Sequence, residues 1–183
     1  MSREYPLPVE CDRLVLDAET ISARVRELGQ RLTHDFAGED LRLVTVLRGG
    51  LFFLADLCRS IDLPLTIDFL AVSAYQPGVG GAVRVTKDLS DSIGGSSVVL
   101  VEDVVDTGLT VNYVRSFLQQ HDPARLEVCT LLDKPGRRLV PVGIGYTGFE
   151  MSDDFLVGYG LDLGGRYRNL PYIARLREEA VCR

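Results

Sequence analysis

The segment Val98-Val99-Leu100-Val101-Glu102-Asp103-Val104-Val105-Asp106-Thr107-Gly108-Leu109-Thr110 delivers three carboxylates and a small-residue turn directly after an apolar run. Thr107, Gly108 and Thr110 can offer hydroxyls and backbone N–H groups at a helix N-terminus, where unpaired donors and the helix dipole favour a phosphate monoester. Gly108 also permits positive φ and close approach of a ligand. Glu102 and Asp103 suit a vicinal diol, since each carboxylate accepts hydrogen bonds from neighbouring hydroxyls. A sugar phosphate satisfies both halves. The competing account is an acidic loop in which Asp106 or Thr107 merely caps a helix. It leaves three acids repelling one another at the strand end where α/β proteins bind ligands, with nothing to accept from.

The elements that must position this segment follow from hydrophobic periodicity. Ile21, Val25, Leu28 and Leu32 step by four, three and four, which predicts a first helix opening near Asp17. Leu43–Leu47 reads as a short strand ended by the turn Arg48-Gly49-Gly50, after which Leu51, Leu54, Ala55 and Cys58 resume helical spacing. Further strands are expected at Leu65–Val72, Val98–Val101 and Val128–Leu132, with a helix from Thr110 to Leu118 turning Val111, Val114 and Leu118 inward. The Gly- and Pro-rich stretch Gln76–Gly81 reads as a mobile loop. Apolar strands alternating with helices predict an α/β fold around a parallel sheet. Ligands of such sheets sit beyond the carboxyl ends of the strands, here Leu47–Gly50, Glu102–Thr110 and Asp133–Arg138.

At 183 residues the chain can bury one sizeable core but not two ordinary domains, so one domain over residues 1–183 is expected. Apolar runs such as Leu51–Ala55 fall far short of the roughly 20 residues that cross a bilayer, and no apolar stretch follows Arg3 to suggest a signal peptide. The expectation is a cytoplasmic protein without a membrane partner. Cys11, Cys58, Cys129 and Cys182 lack paired spacing and neighbouring histidines, so free thiols are expected. A net charge of −6 gives no footprint for wrapping nucleic acid.

The acidic segment resembles the phosphoribosyl-pyrophosphate signature of the type I phosphoribosyltransferases, and Asp106 after two apolar residues resembles the 6-oxopurine branch. The resemblance runs from the first helix through Leu170-Pro171-Tyr172, with its motifs in family order. It implies a parallel-sheet core flanked by helices and a small hood formed from the chain ends. It implies ribose and phosphate binding by Glu102, Asp103, Thr107, Gly108, Leu109 and Thr110. Pyrophosphate falls to Arg48 and Gly49, where the family commonly has lysine and often a cis peptide, and to Arg168. The purine falls to Lys134, Phe155 and Leu156, in Leu131-Leu132-Asp133-Lys134-Pro135 and the stretch from Asp154 to Asp162. A flexible loop starting at Ser73 and Tyr75 is similar to the family's closing loop, with Ala74 where a serine is usual. Asp162 is implied near a magnesium ion held otherwise by ligand oxygens and water.

The activity so implied joins hypoxanthine or guanine to phosphoribosyl pyrophosphate, with Asp106 accepting the proton at purine N7 and a homodimer or homotetramer as the assembly. Lys134, carrying donors only, would reject a 6-amino group. Three matters stay open in the sequence. The ranking of hypoxanthine, guanine and xanthine is one, and Arg138 suits a nearby carboxylate as well as a ligand. The apolar stretch Leu51–Leu57 suits a subunit contact as well as a core helix. A regulator on the same fold would need a basic face or an appended winged helix, and neither shows.

Overall fold

The computed structural model describes residues 6–73 and 84–181. The chain opens with β1 (Cys11–Leu16) and α1 (Ala18–Asp35), the latter capped as expected by Asp17, whose Oδ1 accepts from Thr20 N at 2.7 Å. Next come β2 (Leu41–Val46), α2 (Leu51–Arg59), β3 (Leu65–Ser73), β4 (Arg84–Lys87), β5 (Ser97–Val105), α3 (Leu109–Gln119), β6 (Arg125–Asp133) and β7 (Tyr146–Glu150). The order across the sheet is β4-β3-β2-β5-β6-β7, all parallel except β4, which runs antiparallel to β3. Buried residues of β5 explain the unbroken apolar run. Val99 and Val101 face a core shared with α1 and α2, while Val98 and Leu100 face a second core under α3. A strand covered on both faces has no polar side to display.

The two chain ends form a separate three-stranded sheet, in which β9 (Ile173–Leu176) is flanked antiparallel by β1 and by β8 (Leu156–Val157). It has its own small core of Cys11, Val157, Tyr172, Ala174 and Leu176. This is the hood that the family resemblance implies. The short helix α4 (Glu178–Val181) follows it.

Several expectations need correction. Val98–Val101 is only part of β5, which runs on to Val105, so Glu102 and Asp103 lie within the strand rather than directly after it. Ser73 is the last residue of β3, in register with Arg84, and not the start of a loop. Ala74, Tyr75 and Gln76–Gly81 lie outside the described residues, as does Cys182. Cys11, Cys58 and Cys129 are free, and burial pushes the Cys129 thiol up to about 12. In α2, Phe53, Leu54 and Leu57 are core residues, whereas Leu51 and Phe52 are exposed. Among the described residues no helix is long and apolar enough to cross a membrane.

Candidate active site

The carboxyl ends of β2, β5 and β6 bring most of the singled-out residues together. Glu102 is 6% exposed and sits opposite Thr130 in the β5–β6 register. Its Oε1 is the one buried side-chain polar atom among the described residues without a hydrogen-bond partner. Burial first, and then the adjacent Asp103 charge, hold its carboxyl well above the ordinary value. Asp103, whose Oδ1 accepts from Val104 N at 2.9 Å, is also raised, chiefly by burial, with Arg168 opposing and Asp162 adding to the shift. An orphaned acceptor inside a folded protein costs about 1–3 kcal/mol, so such an atom calls for a ligand donor.

The turn after β2 lies against these acids. The peptide joining Leu47 to Arg48 is cis. Gly49 packs so closely on Asp103 that a Cβ would overlap its Oδ2, which explains the glycine. Arg48 and Arg168 line one open cavity of about 680 Å³, together with Leu51, Phe52 and Asn169. Arg168 donates from Nη1 to Gly160 O at 2.5 Å and pairs through Nη2 with Asp162 Oδ1 at 2.5 Å. Asp162 also accepts from Gly165 N at 2.6 Å. The loop carrying Gly160 is anchored to α2 by Tyr159, whose hydroxyl donates to Asp56 Oδ2 at 2.6 Å. That anchor, and the direct Arg168–Asp162 pair, carry no signal in the sequence.

Beyond β5 the chain turns through Asp106 and Thr107 into Gly108, which has φ +86° and opens α3. A side chain there would be strained in the left-handed region and would meet Val142 and Val140 O within 2.8 Å. Thr107 Oγ1 accepts from Leu109 N at 3.4 Å, and the N-cap of α3, Gly108, has no side chain with which to cap it. Leu109 and Thr110 are exposed at this turn, where the first N–H groups of a helix have no partner within the helix. Thr107 O accepts from Leu139 N at 3.0 Å and Val140 N at 3.3 Å, and Asn112 Nδ2 donates to Pro141 O at 2.9 Å. A strap from 138 to 142 thus backs the turn, a feature that polar loop composition alone does not disclose.

Lys134, at the end of β6, is buried rather than solvated. Its Nζ donates to Asp154 O at 2.6 Å, and its backbone N donates to Val105 O at 3.0 Å, tying it to the end of β5. Burial lowers its pKa, with the Asp106 carboxylate the leading opposing influence. Phe155, which sequence statistics would put in a core, is 55% exposed, while Leu156 is buried in β8. Phe155 lines a cavity of about 570 Å³ with Asp153, Asp154, Arg175 and Arg177. Arg138 settles on a carboxylate: it pairs with Asp133 and donates to Asp106 O at 2.7 Å.

A family model described as "Phosphoribosyl transferase domain" matches residues 15–163. The chain is 42% identical over 167 residues to a hypoxanthine phosphoribosyltransferase of Salmonella typhimurium, covering 89% of this chain and 93% of that protein. It is 44% identical over 177 residues to a hypoxanthine-guanine phosphoribosyltransferase of Mycobacterium tuberculosis, covering 92% and 88%. A crystal structure of a hypoxanthine phosphoribosyltransferase from Staphylococcus aureus superposes with a TM-score of 0.89 at 41% identity, covering 93% and 94%. With a parallel sheet, a hood and an acidic strand end arranged as above, the chain belongs to the phosphoribosyltransferase family, on the branch of the hypoxanthine and hypoxanthine-guanine enzymes.

Proposed function

We propose that this chain transfers the phosphoribosyl group of phosphoribosyl pyrophosphate to hypoxanthine or guanine, giving the nucleoside monophosphate and pyrophosphate, in cytoplasmic purine salvage. The observation that carries the reading is the buried, unpartnered Oε1 of Glu102, next to Asp103, which packs on Gly49, in the strand that leads into the Thr107–Thr110 turn. A ribose diol supplies the missing donors, and a phosphate on each side finds N–H groups or guanidinium.

In this reading Glu102 and Asp103 accept from the ribose hydroxyls. Thr107, Gly108, Leu109 and Thr110 seat the sugar's phosphate at the N-terminus of α3. The Arg48-Gly49 backbone and Arg168 bind pyrophosphate, with Arg168 leaving or sharing Asp162. Lys134 donates to the six-position oxygen, Phe155 stacks on the ring from its exposed position, and the Leu156 backbone meets the ring edge. Ser73, at the end of β3, leads into a segment with Tyr75 that closes over the centre and excludes water, which would otherwise compete with the base. A homodimer or homotetramer would cover Leu51 and Phe52.

A magnesium ion suits this donor set. Asp162 presents a carboxylate that acts electrostatically on Asp103, and among the described residues no three metal-binding side chains converge, which agrees with an ion held mainly by substrate oxygens and water. When bound, the ion neutralises the pyrophosphate and stabilises it as it departs. Asp106 accepts the proton at purine N7 as N9 attacks the anomeric carbon, raising electron density on the ring when the bond forms.

The test is pyrophosphate release with hypoxanthine, guanine, xanthine and adenine as separate substrates. Turnover of the oxopurines with adenine inert supports the reading, and salt-sensitive RNA binding without turnover points instead to a regulator. Asp106→Asn is expected to lower kcat about 100- to 10,000-fold, the usual range for general acid–base help, with affinity for the sugar phosphate retained.

A further inference from the structure

Arg137 has no part in the transfer as described so far, yet it makes a 2.7 Å hydrogen bond from Nε to Asp106 Oδ1. That is a charge-assisted distance, and it engages a single carboxylate oxygen. Oδ2 carries no hydrogen bond among the described residues. The arginine is not a free surface side chain that has settled on a convenient acid. It sits in a 3-10 turn, Pro135–Arg137, whose backbone closes from Arg137 N to Lys134 O at 3.0 Å and from Arg138 N to Pro135 O at 3.2 Å. On its other side the strap from 138 to 142 is bonded to Thr107 and Asn112. Both ends of the turn are therefore anchored, one on the residue that meets the six-position oxygen and one on the phosphate turn.

The neighbouring arginine grips the same residue differently. Arg138 donates to the Asp106 carbonyl and is ion-paired with Asp133, both side chains 15% exposed. It fixes the backbone. Arg137 and Asp106 are each 40% exposed, a setting in which an ion pair adds little to stability. What the Arg137 contact does supply is direction, because it removes one of the rotations by which a lone carboxylate would wander.

We propose that Arg137 is a positioning residue for phosphoribosyl transfer, holding Oδ1 of Asp106 so that Oδ2 faces the N7 proton of the purine. This rests on the role of Asp106 given above. It goes beyond it in assigning the proton acceptor a partner, much as a general base is oriented by a third group.

The experiment is a double-mutant cycle on the full chain, with steady-state rates for hypoxanthine and thermal melts for every variant. Arg137→Ala is expected to lower kcat about 10- to 100-fold, the scale of a misplaced reacting group, with KM for the sugar pyrophosphate and the melting temperature nearly unchanged. In the Asp106→Asn background the same change should cost less than about twofold, since groups acting as a unit are not additive. Arg137→Lys, which keeps a donor and the charge, should recover part of the rate. An unchanged kcat in Arg137→Ala overturns the proposal. So does an equal loss in both backgrounds, or a loss that tracks a lowered melting temperature in Arg137→Ala and is not relieved in Arg137→Lys. Wild-type protein in the same assay separates the two claims: if it fails to turn over hypoxanthine, the functional reading falls, whereas an active wild type with an indifferent Arg137→Ala removes only this inference.

Discussion

Glu102→Gln should make the ligand-free protein more stable while removing much of its response to the sugar pyrophosphate. The wild-type carboxyl is buried and one of its oxygens has no partner, and burial with the Asp103 charge beside it raises its pKa above the ordinary 4.5. A group whose pKa rises on folding holds its proton more tightly in the folded state. Its burden is therefore absent below the ordinary value, grows as pH climbs from there toward the raised one, and levels off above it. Glutamine keeps the shape and removes the charge. At pH 8 the gain should be about 1–3 kcal/mol, the cost of holding a buried, partnerless carboxyl away from its charged, solvated state, which for a chain of this length is about 2–12 °C in Tm. At pH 4 the two proteins should melt together. Phosphoribosyl pyrophosphate with magnesium at 100 times its Kd should stabilise wild type by about 2.7 kcal/mol. Glutamine, which offers one acceptor oxygen where two are wanted, should respond much less. Differential scanning fluorimetry across pH, with and without the ligand, reads all of this. A Glu102→Gln protein that melts below wild type at pH 8, or a gap that is the same at pH 4, would refute the reasoning.

Other outcomes follow from the same geometry. Gly108→Ala should raise KM for the sugar pyrophosphate and cost about 1–3 kcal/mol in chemical denaturation, because φ +86° strains any side chain and Val142 and Val140 O already fill the space. Lys134→Met should lower kcat/KM for hypoxanthine about 100-fold or more and narrow the gap to adenine, measured by pyrophosphate release, since it keeps the buried stem and removes the donors. Chelation by EDTA should abolish turnover and added magnesium should restore it, while circular dichroism stays unchanged.

The sheet and its helices were readable because their residues face a core on both sides. Val98–Val101 can be nothing but buried, and Ile21, Val25, Leu28 and Leu32 all reach less than 3% exposure on one helical face. What escaped is structure that apolar pattern does not encode. β1 buries only Cys11 fully, β9 is four residues long and β8 two, so no strand of the hood repeats an apolar period and the hood is expected from family resemblance alone. The apolar run stops at Val101 although β5 continues to Val105, and acids seldom continue a buried strand. Here they do so because the strand is the means of presenting them.

The same logic separates the visible part of the site from the hidden part. Glu102, Asp103, Asp106 and Thr107–Thr110 stand out because they are contiguous, and their spacing is set by one strand and one turn. Lys134 and Arg168 are each unremarkable locally, and only tertiary contact explains them: Lys134 is bonded to the end of β5, and Arg168 pairs with Asp162 and acts electrostatically on Asp103. Arg137 and Arg138 are adjacent in sequence yet take opposite duties on one aspartate, because the 3-10 turn sends one guanidinium to the Asp106 carbonyl and the other to its carboxylate. In the proposed reading the ribose and phosphate contacts lie in one short contiguous motif, whereas Lys134 and Arg137 come from the end of the next parallel strand, a separation that follows from building a site at the carboxyl edge of a sheet.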